Sequence, residues 1–185
     1  VTFEPEDARL FFYEAITEAL GRLHLNVEHW TEFYLAELLT RQVDKPVPEQ
    51  PLVSQLQAAV SSSTTEQQLL RFREMGGSAL FLVGFCEAAV SARGVNRGYV
   101  MHMGGYAYRS AASLSEDGMS QVYVTLSDGF DDFAQVLDEV REMTSLRTQQ
   151  DILKLYEKWR RTGSIRDAQK LQKAGVHPTF IKLRT

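Results

Sequence analysis

A single cysteine, Cys86, stands in a chain of 185 residues. One thiol excludes an intrachain disulfide and any multi-cysteine zinc or iron–sulfur cluster. Its apolar neighbours predict a buried packing thiol rather than a nucleophile. Long hydrophobic runs are missing too. The most apolar uncharged run, Met75 to Cys86, has 12 residues, too short to cross a bilayer. The opening V-T-F-E-P-E-D carries no basic-then-apolar leader, so the expectation is a cytoplasmic protein without a membrane span.

Metal and nucleotide motifs are likewise scarce. Carboxylate-bridged metal bundles need Glu-x-x-His pairs one helical turn apart, and no such pair occurs among the four histidines. A haem needs one axial ligand, and His24, His29 and His102 are the candidates. A lone histidine on a helix surface is more commonly solvated or locally hydrogen bonded, so no metal or cofactor is expected. Gly76–Gly77 and Gly104–Gly105 sit in helical patterns without the strand or the Lys-Ser/Thr of a phosphate loop. They predict close helix packing. No nucleophile elbow is present, and no catalytic residue is assigned.

What is present is an ordinary globular composition, 44% hydrophobic and 24% charged. Glu74 to Arg93 is the organising stretch. Ser78 is its only polar side chain between Glu74 and Glu87, so it lacks the polar face of a surface helix. It reads as a helix enclosed by other helices. Gly77, Gly84 and Ser91 recur at seven residues, and Gly98, Gly105 and Ala112 repeat the pattern. The spacing predicts a tight hairpin of 68–93 against 98–114, with the two small stripes facing one another and the chain turning through Gly94 to Arg97.

Elsewhere the periodicity predicts helices over 6–20, 26–42, 52–60 and 148–161. Leu10, Tyr13, Ile16, Thr17 and Leu20 form the expected inner side of the first, with Phe11 and Phe12 beside them. Trp30, Phe33, Tyr34, Glu37 and Leu38 mark the recurring row of the second. Leu52, Val53, Leu56 and Val60 should face inward on the third. Thr65 with Gln68 resembles a capping box. Val122, Leu126, Phe130, Phe133, Leu137 and Val140 keep a three-and-four spacing, which predicts helix with a break near Ser127 to Gly129 despite the β-branched V-Y-V-T-L. The fold expectation is all-α, an irregular or orthogonal bundle of about seven helices around the central apolar one. Residues 1–146 form the main bundle, and 147–185 form a basic helical pair and tail packed on the same domain.

Net charge is −4, yet residues 147–185 hold ten Lys or Arg against three acids. Lys158, Arg161, Arg166, Lys170 and Lys173 make a basic patch suited to phosphates or to an acidic protein surface. On the helix after Gly98, Tyr99, His102, Tyr106 and Arg109 share one face, with Arg93 nearby. Aromatic and arginine side chains together suit a protein interface. The expectation is a non-catalytic interaction or regulatory protein with a protein partner or a second copy of itself. Two alternatives stand beside it: a pocket near His102 and Tyr106, with Tyr99 and Glu87, for an enzyme or cofactor-binding protein, or nucleic-acid binding through the basic helices.

Overall fold

The computed structural model describes residues 5–42, 50–92, 94–145, 149–165, 168 and 171. Among them are nine helices and no strand: α1 (Pro5–Arg22), α2 (His29–Gln42), α3 (Leu52–Val60), α4 (Thr65–Gly84), α5 (Glu87–Ala92), α6 (Arg97–Leu114), α7 (Met119–Asp128), α8 (Phe130–Ser145) and α9 (Gln149–Thr162). The protein is all-α. It divides into two compact units, one from residue 3 to 140 and one that contains 141 onward.

In the larger unit the apolar stretch of α4 is enclosed as its composition demands. From Met75 to Gly84 every residue but Ser78 is buried. The helix starts one residue earlier than the capping box suggests, because the Thr64 hydroxyl accepts the Gln67 N–H at 3.2 Å. It also stops earlier. The Phe81 carbonyl accepts both the Phe85 and Cys86 N–H groups, a widened last turn that separates α5 from α4. Cys86 lies at this joint and is half-buried, not enclosed. Gly94 then takes φ +65°, a conformation glycine adopts without Cβ strain, and Asn96 caps α6 by accepting the Tyr99 N–H at 3.1 Å.

α4 and α6 form an extensive helix pair, but through other residues than the two heptad stripes. A Cβ built on Gly76 would stand 2.9 Å from Cδ1 of Tyr108, and one on Gly104 would stand 2.7 Å from the Ala79 Cβ. Gly77 instead faces Leu38 of α2, and Gly84 faces Ala134 and Leu137 of α8. Gly105 has only the Ser127 carbonyl within 4 Å. The hairpin is real, and its contact row is Gly76 and Ala79 against Gly104 and Tyr108. A helix enclosed on all sides has several contact rows. Small residues seven apart therefore do not identify which neighbour each one meets.

The break after Asp128 falls where the sequence places it, and Val122, Leu126, Phe130, Phe133, Leu137 and Val140 are all buried. α1 is rotated from expectation. Phe12, Ala15, Ile16, Ala19 and Leu20 are buried, whereas Leu10 is 60% exposed and Thr17 is exposed. The alanines carry the contact because they let α1 approach closely. Tyr13 lies at the edge, where its hydroxyl donates to Glu32 Oε2 at 2.9 Å and sits 3.0 Å from His29 Nδ1. On α3 only Leu52 and Ala59 are fully buried, while Val53 and Val60 are exposed. α1 closes through His24 at φ 55°. The Leu25 N–H bonds to the Leu20 carbonyl and the His24 N–H to the Gly21 carbonyl, the paired bonds of a Schellman cap.

Candidate functional site: a tyrosine-floored cleft

The aromatic row of α2 does not face the core. The buried side of that helix is Thr31, Leu35, Ala36, Leu38 and Leu39, and Trp30 is 61% exposed. Trp30, Phe33, Tyr34, Glu37, Leu38 and Arg41 instead wall a cleft of about 830 Å³. The spacing was a true helical face. Only its destination differs, because periodicity shows that residues share a side without showing what that side meets.

The opposite wall is α4, through Leu69, Leu70, Arg73, Glu74, Gly77 and Ser78, again at three-and-four spacing. Asp117, Met119 and Tyr123 close the end at the α6–α7 joint. The Asp117 carboxylate is fixed there. It accepts the Ser115 hydroxyl at 2.6 Å and the Met119 N–H at 3.0 Å, and these bonds hold it below the usual carboxylate range.

Three tyrosines from three helices meet beneath the cleft. The Tyr34 hydroxyl donates to the Tyr108 hydroxyl oxygen at 3.2 Å. Tyr34 also packs edge-on against Tyr123, and Tyr108 stacks on Tyr123 with ring centres 6.2 Å apart. The absence of a side chain at Gly76 and Gly77 makes room for this cluster. Burial pushes the Tyr34 and Tyr108 phenols well above their ordinary value. It raises Tyr123 as well, and the Arg73 guanidinium beside that hydroxyl offsets part of the rise. All three are therefore neutral hydrogen-bonding groups at physiological pH.

Arg41 and Arg73 are the two cations of the cleft among the described residues, and they differ. Arg41 is paired with Glu37 at 2.9 Å. Arg73 is half-buried and has no carboxylate within ion-pair distance among the described residues. Among the described residues, no histidine or cysteine lines the cleft. Nor do any three His, Cys, Asp or Glu side chains come together as a metal site among the described residues.

The face expected on α6 exists and is open. Tyr99 is 43% exposed and Tyr106 49%, and His102 and Arg109 are exposed beside them. Tyr106 packs edge-on against Phe72, and Arg109 pairs with Asp128. A shallow hollow of about 410 Å³ runs past His102, Tyr106 and Arg109 toward Phe130. On α9, Lys158 and Arg161 are exposed, while Trp159 is buried against Tyr156. Arg93, Arg166, Lys170, Lys173 and the Glu87 side chain lie outside the described residues. The histidine candidates do not converge, since His24 is a helix cap and His29 is bonded to Tyr13.

No protein family, curated protein or solved structure matches the chain. Among the described residues, no helix is long and apolar enough to cross a membrane. The sequence reading passed over Arg73 and the tyrosine floor. The signal for them was the mixed face Glu66, Leu70, Arg73 and Gly77, which is neither a clean apolar stripe nor a clean polar one.

Proposed function

We propose that this protein is a helical binding protein that holds a ligand in the cleft between α2 and α4 without transforming it. The supporting observation is the cleft itself. Its volume of about 830 Å³ is in the range of small-molecule sites, which combine apolar walls with a few convergent polar groups. Trp30, Phe33 and Leu70 supply the walls, and Arg73, Tyr34 and Tyr123 supply the polar end. Ser78 and Ser115 bring hydroxyls to the cleft, but among the described residues no histidine lines it to act as a base. This chemistry favours retention over turnover.

A second reading rests on α6. Two tyrosines exposed by more than two fifths, flanked by His102 and Arg109, fit a protein contact in which aromatic anchors supply most of the area. The two readings are compatible, because one surface is a cleft and the other is nearly flat.

Soaking a fragment library into crystals of the protein separates them. Fragments should gather between Trp30 and Arg73. Clustering at Tyr106 and Arg109 instead would move the binding site to α6, and scattered occupancy without preference would reject the cleft.

A further inference from the structure

We infer that the cleft selects an amphipathic carboxylate, with the acid group on Arg73 and the apolar body along Trp30, Phe33 and Leu70. This rests on the cleft being a binding site and specifies what enters it.

The charges of the cleft sort into satisfied and unsatisfied groups. Glu37 is shared by Arg41 at 2.9 Å and Arg9 at 3.7 Å, and Asp117 is held by Ser115 and the Met119 N–H. Glu66 and Glu74 are exposed on α4, where water solvates them at little cost. Arg73 is the exception. The residue is half-buried, and among the described residues its guanidinium has the neutral Tyr123 hydroxyl as a polar neighbour. A guanidinium presents a planar fork of donors that matches a carboxylate bidentately. The Tyr123 hydroxyl beside it is neutral and is able to donate to the same acid.

Exposed apolar groups line the same cleft. Trp30, Phe33 and Leu70 are exposed to 61, 37 and 42%, so an alkyl or aryl body laid on them removes apolar surface from water on both sides. Glu66 and Glu74 disfavour an anion on the exposed surface of α4. Together these features orient the ligand with its head inward and its body toward solvent.

Titration calorimetry with octanoate, octanol and octylammonium tests the assignment on the intact protein. Octanoate should bind at least tenfold more tightly than either analogue. Arg73→Gln should remove that preference by bringing octanoate down to the affinity of octanol, and Arg73→Lys should recover part of it. Arg71→Gln, an exposed arginine on the same helix outside the cleft, should behave as the parent, and Trp30→Ala should weaken all binding. Equal affinity for octanoate and octanol, both reduced in Trp30→Ala, would retain the cleft and overturn the carboxylate assignment. Tighter binding of octylammonium would overturn it too. No binding of any of the three would overturn both the assignment and the cleft.

Discussion

The ring of Tyr108 lies on the backbone of Gly76. A Cβ at position 76 would meet its Cγ at 3.0 Å and its Cδ1 at 2.9 Å, and the ring is fully buried between Tyr34, Tyr123 and Phe130. Gly76→Ala gains about 1 kcal/mol of helix propensity but has to move a ring that has no free side to move into. A net loss of about 1–2 kcal/mol is expected, read from the urea midpoint. An unchanged or higher midpoint would show that the tyrosine cluster is loosely packed.

Neighbouring glycines on α6 should behave in opposite ways. Gly104→Ala drives a methyl into the Phe130 ring and the Ala79 Cβ, whereas Gly105→Ala finds the Ser127 carbonyl at an ordinary 3.7 Å. The first should lose about 2 kcal/mol or more. The second should be neutral or gain up to about 1 kcal/mol. A larger loss at 105 than at 104 would restore the heptad stripe 98/105/112 as the contact row. Gly84→Leu belongs with Gly104→Ala, because its Cβ would stand 2.8 Å from the Ala134 carbonyl oxygen, a backbone atom of α8.

His24 pays a conformational penalty that glycine would not. A non-glycine residue in the left-handed region costs about 1 kcal/mol, and the His24 side chain is exposed. His24→Gly should therefore raise the melting temperature by a few degrees, and His24→Val should lower it. A melting temperature lowered by His24→Gly would point to a role for the imidazole itself.

The tyrosine floor sets an alkaline limit on the fold. Tyr34, Tyr108 and Tyr123 hold their protons more tightly when folded. The stability from these raised values is fully present below the unfolded tyrosine value of about 10, and is lost as pH rises from there toward the folded values. In a titration followed at 295 nm, the floor tyrosines among the seven in the chain should ionise only together with loss of helical ellipticity. Smooth ionisation of all seven with the helices intact would mean that water reaches the floor. Tyr108→Phe should make the alkaline decline shallower.

Elements whose burial is complete were the most legible in the sequence. The stretch from Met75 to Gly84 has no polar face to mislead, and the run from Val122 to Val140 keeps its spacing through a break that Gly129 announces. Half-buried elements were harder. On α1 the small residues Ala15 and Ala19 make the contact while the large Leu10 stays wet. On α2 the most conspicuous aromatic row faces a cleft. A hydrophobic row states a shared direction, and only the neighbours decide whether that direction is core or mouth. Arg73 shows the same limit from the polar side. Its lack of a carboxylate partner among the described residues is a property of three helices brought together, and no single stretch of chain records it.

Gly76 and Gly77 are adjacent in the chain yet answer to different helices, the first to Tyr108 of α6 and the second to Leu38 of α2. Their evolutionary histories should therefore be uncoupled. Enlargement at 76 is open to rescue by a smaller residue at 108, and enlargement at 77 first by a smaller residue at 38, where the contact is tightest. As homologous chains diverge, substitutions should accumulate as 76 with 108 and 77 with 38. One peptide bond thus separates two independent lines of descent.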